Sequence, residues 1–414
     1  MIPSSAAPDV MPSPASLAWI KRLIAFDTTS RNSNLELIDH VRAELERLGL
    51  DVTLTFNAKR TKANLFATLP ATCGTRAGGV ILSGHSDVVP VDGQDWSSDP
   101  FAAEIRGDRL YGRGACDMKG FVGVALGIIP ELTTAKLAKP VHVALSFDEE
   151  VGCLGAPLMI DDLVARGVHA DACIVGEPTE MQPVVAHKSI RLLRCRVRGS
   201  PAHSSRPYDG VNAITYSGRI VAFISERAES LQRSVAYDAA FDPPYTTMTV
   251  NQIGGGTAPN VVPEHCSFVF EYRSLPGGDP LALQEEVEAF IETHINPEIA
   301  RHHPASGADL EVLVSVPAFE ADSALARRVG ELTCAEARKV GYSTEAGQFQ
   351  LAGIPTIVCG PGSIEQAHKA DEWVSLAQLA KCEAFLRQIT RDQSSSPTWQ
   401  SPPDLDEESH AHFF

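Results

Sequence analysis

Gly79-Val80-Ile81-Leu82-Ser83-Gly84-His85-Ser86-Asp87 is the stretch whose reading decides the fold. A short apolar run ends abruptly in an imidazole and a carboxylate, and such runs read as buried strands. Two other runs behave alike. Residues 141–147 lead into Asp148-Glu149-Glu150, and residues 172–175 lead into Gly176-Glu177-Pro178-Thr179. Helical stretches separate the three, so the pattern predicts an α/β chain with a largely parallel central sheet. Open sheets of this kind gather their sites at the carboxyl ends of the strands, where all three polar clusters fall.

Working outward, residues 16–26 and 34–48 read as amphipathic helices. In the second, Leu37, Ile38, Val41, Leu45 and Leu48 share a face, and Gly49 supplies the stop. Strands are expected at 51–56 and 64–69. The pattern changes after Glu180. Leu193, Cys195 and Val197 alternate with Arg194, Arg196 and Arg198, the period of a strand with one wet face. A helix around Ile214, Val221 and Ile224 follows, then strands at 246–253 and 266–273. A helix bearing Leu283, Val287, Phe290 and Ile291 comes next, and a strand at 310–316 closes the set. The order βαββαβ predicts a compact α+β insert of ferredoxin-like type. The α/β pattern then resumes, with a helix at 324–340, a strand at 356–359 and a helix at 376–389. The domains expected are therefore a discontinuous one over 1–184 and 318–392, and an insert over 185–317. Residues 393–414 are Ser/Pro-rich and then acidic, and are expected to be disordered. Asp406-Glu407-Glu408 in that tail repeats the triplet at 148–150, so it is the strand in front that gives the first copy its weight.

Composition bounds the function. A chain of 414 residues exceeds one ordinary core, and 44% hydrophobic with 21% charged residues is globular. A formal net charge of -17 speaks against nucleic acid or an anionic membrane as partner. It suits a small cationic or zwitterionic substrate. No apolar run approaches the ~20 residues a membrane helix needs, and the start lacks the basic and apolar regions of a signal peptide. Nine scattered cysteines without a C-x-x-C pair predict free thiols and a cytoplasmic location.

Chemistry enters with Gly112-Arg113-Gly114-Ala115-Cys116-Asp117-Met118-Lys119-Gly120. An aspartate among glycines, where the backbone bends sharply, can present both oxygens to a shared site. His85, Asp117, Glu150, Glu177 and His368 are five residues of metal-binding type in suitable settings. Mixed imidazole and carboxylate ligands suit zinc, and also cobalt or manganese. Two ions ~3.5–4 Å apart are a standard arrangement for hydrolysing carbonyl compounds. One bridging carboxylate and two further ligands per ion account for all five. Asp87, two residues past His85, is placed to orient its imidazole. Glu149, beside a ligand, is the candidate general base. Taken singly, each of these residues is more often a cap, a surface charge or a satisfied core group, and spacing alone does not join them.

Six segments, 84–90, 112–120, 147–152, 176–179, 199–205 and 360–368, resemble in order the motifs of the M20-type di-zinc peptidase and deacylase family. The resemblance runs over about residues 15–388. It implies two zinc ions per subunit, with cobalt an alternative. His85, Asp117 and Glu177 would hold one ion, and Asp117, Glu150 and His368 the other. Glu149 would act as base and then as acid, with Asp87 behind His85. The resemblance also implies a cis peptide after Asp117, and a lid and dimerisation role for the insert, hence a homodimer. His203, in Gly199-Ser200-Pro201-Ala202-His203-Ser204-Ser205, matches the histidine that reaches across a dimer to the reacting carbonyl. Asn260 falls in the lid loop near substrate, and Arg273 matches a carboxylate-binding arginine. Three local features resemble the branch of the family that deacetylates N2-acetyl-L-ornithine. They are the run from Gly176 to Lys188, Thr344-Glu345-Ala346-Gly347, and Cys359-Gly360-Pro361-Gly362-Ser363-Ile364 with the residues up to Glu372. Glu345 could there pair with a substrate ammonium group. Other N-acyl amino acids, succinyl-diaminopimelate, a dipeptide, and an inactive binding protein on the same fold stay open as alternatives.

Overall fold

The computed structural model describes residues 11–234 and 236–391. The tail and the extreme start lie outside these residues. Two compact units emerge, one built from 11–183, 321–337 and 348–391, the other from 184–320 and 338–347.

The first unit is organised on a mixed sheet. Its strands run in the spatial order Asp51–Phe56, Ala63–Leu69, Val141–Ser146, Val80–His85, Ala172–Val175 and Thr356–Val358. The first three pair antiparallel. The remaining pairings are parallel, and every residue of Val80–His85 and Val141–Ser146 is buried. Burial on both faces is why these strands read as unbroken apolar runs. Register then does the positioning. His85 lies opposite Ser146, and Ser83 opposite Val175, so the polar residues that follow each strand emerge at one edge.

Helix Pro14–Ile24 starts at Ser13, whose hydroxyl accepts the Ser16 N–H at 3.2 Å. It packs on the long helix Lys119–Thr134 through two glycines one turn apart. A Cβ on Gly123 would come within 2.7 Å of the Ile20 nitrogen, and one on Gly127 within 2.7 Å of Ser16 Cα. The two backbones touch because neither position has a side chain.

The second unit carries a four-stranded antiparallel sheet in the order Thr247–Gly255, His265–Arg273, Ile190–Arg198, Gly307–Val316. Helix Ala213–Gln232 follows the strand Ile190–Arg198. Helix Ala282–Phe290 precedes the last strand and continues through a π turn into Asn296–His302. Numbered along the insert, the strands lie 2-3-1-4, the ferredoxin-like arrangement. Leu193, Cys195 and Val197 face a core with Phe268, Phe270, Ile220 and Val287. Arg194, on the other face, meets Glu311 at 3.0 Å.

The structure departs from the sequence reading after residue 333. The helix read over 324–340 ends as Ser323–Thr333, and Arg338–Val340 is a strand pairing with Val184–His187. Asp322 caps the start, accepting the Ala324 and Leu325 N–H groups at 2.8 and 3.1 Å. Cys334 ends the helix with left-handed backbone (φ 51°). The stretch 338–347, read from sequence with the first domain, clusters with the second unit. Seven of the nine cysteines are buried. Among the described residues no helix is long and apolar enough to cross a membrane.

Gly127→Val should drive the two packed helices apart and cost roughly 1–3 kcal/mol. A lowered urea midpoint with an unchanged slope would register it, and an unaltered midpoint would show that the helix contact can yield freely.

Candidate metal centre

The six residues proposed as metal ligands or base all belong to the first unit. His85 ends its strand. The Glu149-Glu150 pair follows Val141–Ser146, and Glu177 follows Ala172–Val175. Asp117 comes from the Gly-rich turn, where Gly114 adopts φ 81°, a conformation glycine takes at little cost. The Asp117–Met118 peptide is cis.

Asp117 presents its two oxygens to different imidazoles. Oδ1 lies 2.9 Å from His85 Nε2, and Oδ2 lies 3.3 Å from His368 Nε2. His368 Nε2 also lies 3.0 Å from Glu150 Oε2, and His85 Nε2 lies 3.8 Å from Glu177 Oε1. Two ligand groupings result, each with one atom per residue and all atoms within 4.8 Å. One is His85, Asp117 and Glu150, and the other is His85, Glu149 and Glu177. Among the described residues, Glu150 Oε1 and Glu177 Oε1 are buried without a hydrogen-bond donor. Oxygens so placed are costly unless something positive meets them. This donor set and its two orphaned oxygens fit a pair of divalent cations.

The electrostatics point the same way. Burial, together with the charges of Glu150 and Asp117, pushes the Glu149 carboxyl up to about 8. Burial and Asp117 push Glu150 to about 7, and burial and the same neighbour raise Glu177 well above the usual range. Hydrogen bonds to Asp117 and Glu150 lift His368 to about 10. Burial opposes a charge on His85, but Asp117 and Glu177 prevail and hold its pKa high. Asp117 is depressed despite its burial, because both imidazoles bond to it. Protons thus take the places that cations would.

Asp87 meets His85 more closely through its main chain than through its carboxylate. His85 Nδ1 meets the Asp87 main-chain carbonyl at 3.0 Å, while the Asp87 carboxylate stands 3.7 Å away. That carboxylate accepts the Glu149 and Glu150 N–H groups at 3.1 and 3.3 Å. It also accepts Ser30 Oγ at 2.7 Å. It therefore holds the Glu149-Glu150 backbone directly. Cys153 Sγ donates to Glu149 Oε1 at 3.3 Å. Sequence reading missed Ser30 and Cys153, and also Lys62, which pairs with Asp148 and the Ser30 carbonyl. Nothing in their local pattern marks them; only Cys153 lay close to a candidate.

The other named residues belong to the second unit. His203 is exposed, and its Nδ1 accepts the Ser205 N–H at 3.2 Å, which leaves Nε2 as donor in the neutral ring. The Asn260 carbonyl accepts the Ser204 N–H at 2.9 Å, so these two loops are joined. Arg273 donates from Nε to Glu271 at 3.0 Å. Glu345 is buried beside Thr344, whose N–H donates to His187 Nε2 at 3.3 Å. Lys188, also buried, donates to the Pro243 and Tyr245 carbonyls at 2.7 and 2.6 Å.

The profile of peptidase family M20/M25/M40 matches residues 81–392. The chain is 38% identical over 378 residues to the acetylornithine deacetylase of Myxococcus xanthus, covering 90% of this chain and 96% of that one. It is 34% identical over 368 residues to the acetylornithine deacetylase of Proteus mirabilis (strain HI4320), covering 88% and 92%. A tripeptidase from Staphylococcus aureus shares the fold, with a TM-score of 0.72 at 20% identity over 92% of this chain and 99% of that one.

Ligands must be deprotonated to bind a cation, so metal uptake should release protons. Glu150 near 7 and His368 near 10 both hold protons at low pH and lose them as pH rises. Apparent zinc affinity should therefore climb between pH 6 and 8, roughly tenfold per unit for each proton displaced. Calorimetric titrations in buffers of different ionisation enthalpy would count those protons; pH-independent affinity would contradict the assignment.

Proposed function

The chain belongs to peptidase family M20/M25/M40, and from that premise we propose that it hydrolyses N2-acetyl-L-ornithine to ornithine and acetate, a step of arginine biosynthesis. The near full-length identity to relatives of that activity carries the choice of substrate. His85, Asp117 and Glu177 would hold one zinc ion, and Asp117, Glu150 and His368 the other, with cobalt an alternative. The bridging role rests on the two oxygens of Asp117 facing different imidazoles. When bound, such ions supply Lewis acidity toward a carbonyl and make water a stronger acid.

The chain's own residues do the rest. Glu149 takes a proton from the attacking water and delivers it to the departing amine nitrogen, so the carboxylate is regenerated each turnover. Asp87 keeps Glu149 aimed through its backbone N–H. His203, with Nε2 as donor, would stabilise the oxyanion of the tetrahedral intermediate. Arg273 would grip the α-carboxylate in a two-bond fork, with Asn260 beside the substrate. Glu345, buried and acidic, would pair with the δ-ammonium of the ornithine side chain. In the same reading the insert, 185–317, serves as lid and dimer contact for the catalytic domain over 1–184 and 318–392, in a cytoplasmic homodimer.

The test is a side-by-side assay of zinc-loaded protein on N2-acetylornithine, N-acetylmethionine, succinyl-diaminopimelate and a dipeptide, with a chelated control. We expect N2-acetylornithine to lead in kcat/KM by roughly tenfold or more, all activity to vanish on chelation, and Glu345→Gln to narrow that lead. Another compound in front would overturn the substrate. Glu149→Ala should lower kcat roughly 10²–10⁴-fold with metal content unchanged, and near wild-type turnover would remove Glu149 as base.

A further inference from the structure

Glu372 is a buried carboxylate, 1% exposed, that bonds to the turn bearing Asp117. Oε1 accepts the Cys116 N–H at 2.8 Å and the Asp117 N–H at 3.0 Å. Oε2 accepts the Gly114 N–H at 3.0 Å and Arg113 Nη1 at 2.7 Å. The contact is returned by the Gly112 N–H, which donates to the Glu372 carbonyl at 3.0 Å. Three backbone donors and a guanidinium thus converge on one side chain. Charge-assisted bonds of this kind are shorter and stronger than neutral ones, and donors so converged form an anion nest that here holds an internal anion.

Glu372 also stands four residues after His368. The linking stretch is pinned from the same side. Gln94 Nε2 donates to the His368 carbonyl at 3.1 Å, and Arg113 Nη1 reaches the Lys369 carbonyl at 3.3 Å. Arg113 Nη2 closes the ring on Gln94 Oε1 at 2.5 Å. Arg113 and Glu372 therefore tie together the turn and the loop that carry the two residues that would share one ion.

We propose that Glu372 is a positioning residue for metal binding: by fixing the 113–117 turn and the 368–372 loop to each other, it sets Asp117 against His368. The inference rests on the reading of these two residues as ligands. A core residue serving stability alone could place its bonds anywhere; all four donors to the Glu372 carboxylate lie within 113–117, the last of them on Asp117 itself.

Glu372→Asp shortens the arm by one methylene and keeps the charge facing Arg113. Metal-free full-length protein would be titrated with cobalt(II) and followed by visible absorption, with circular dichroism and melting recorded before addition. We expect one of the two cobalt positions to weaken roughly 10–100-fold with an altered spectrum, while the metal-free variant keeps the wild-type dichroism and melts close to wild type. Gln94→Ala, which releases the His368 carbonyl, should weaken the same position by a smaller factor. Wild-type cobalt affinity and spectrum in a folded Glu372→Asp variant would overturn the proposal. So would a large loss of metal-free stability with normal cobalt binding by the molecules that remain folded. If Glu372→Asp does not fold, Gln94→Ala decides, and unchanged binding at both positions overturns the proposal. Failure of the wild-type protein to take up two cobalt ions would overturn the ligand reading itself, and shows before any variant is made.

Discussion

Four carboxylates, those of Asp117, Glu149, Glu150 and Glu177, converge where two imidazoles are at hand to offset them. Like charges held this close inside a protein repel, and burial removes the water that would screen them. The fold maintains the arrangement because the carboxylates arrive on three separate segments: Asp117 on the Gly-rich turn, Glu149 and Glu150 after Val141–Ser146, and Glu177 after Ala172–Val175. Burial and this mutual repulsion raise the Glu149 and Glu150 carboxyls to about 8 and about 7. The remaining features of the first unit follow from the need to hold these groups together.

Parallel strands meet that need cheaply. Once Val80–His85 pairs in register with Val141–Ser146 and Ala172–Val175, every loop leaving a carboxyl end opens on the same edge. The Gly-rich turn comes from outside this sheet, and His368 lies ten residues past the end of Thr356–Val358, so the two need a fastening of their own. The buried Arg113–Glu372 pair, with side-chain exposure of 1% on each partner, supplies it. A buried ion pair is poor evidence of stability as such; its value here lies in where its bonds fall.

The insert follows a different logic. One face of its sheet is apolar and packs on helices, while the other is lined by arginines paired to acidic residues across strands. Residues of the second unit divide into exposed and buried sets. His203 and Asn260 occupy loops joined by a backbone hydrogen bond, whereas Glu345 and Lys188 are buried. The Lys188 amine is satisfied there by the Pro243 and Tyr245 carbonyls, as a buried ammonium requires.

The α/β pattern and the alternating strands of the insert were legible in the residues, whereas His85, Asp117, Glu149, Glu150, Glu177 and His368 stood out only as candidates that the family resemblance joined. Strand periodicity and the residues that break it are local properties, and burial enforces them locally. The helix expected over 324–340 shows the limit, since apolar spacing carried on while a left-handed Cys334 stopped the chain. Tertiary structure alone decided where the Asp87 carboxylate points and that Glu372, 255 positions from Asp117, accepts its N–H. Such bonds join a side chain to backbone donors, which every residue but proline possesses, so no residue type at the receiving end announces them.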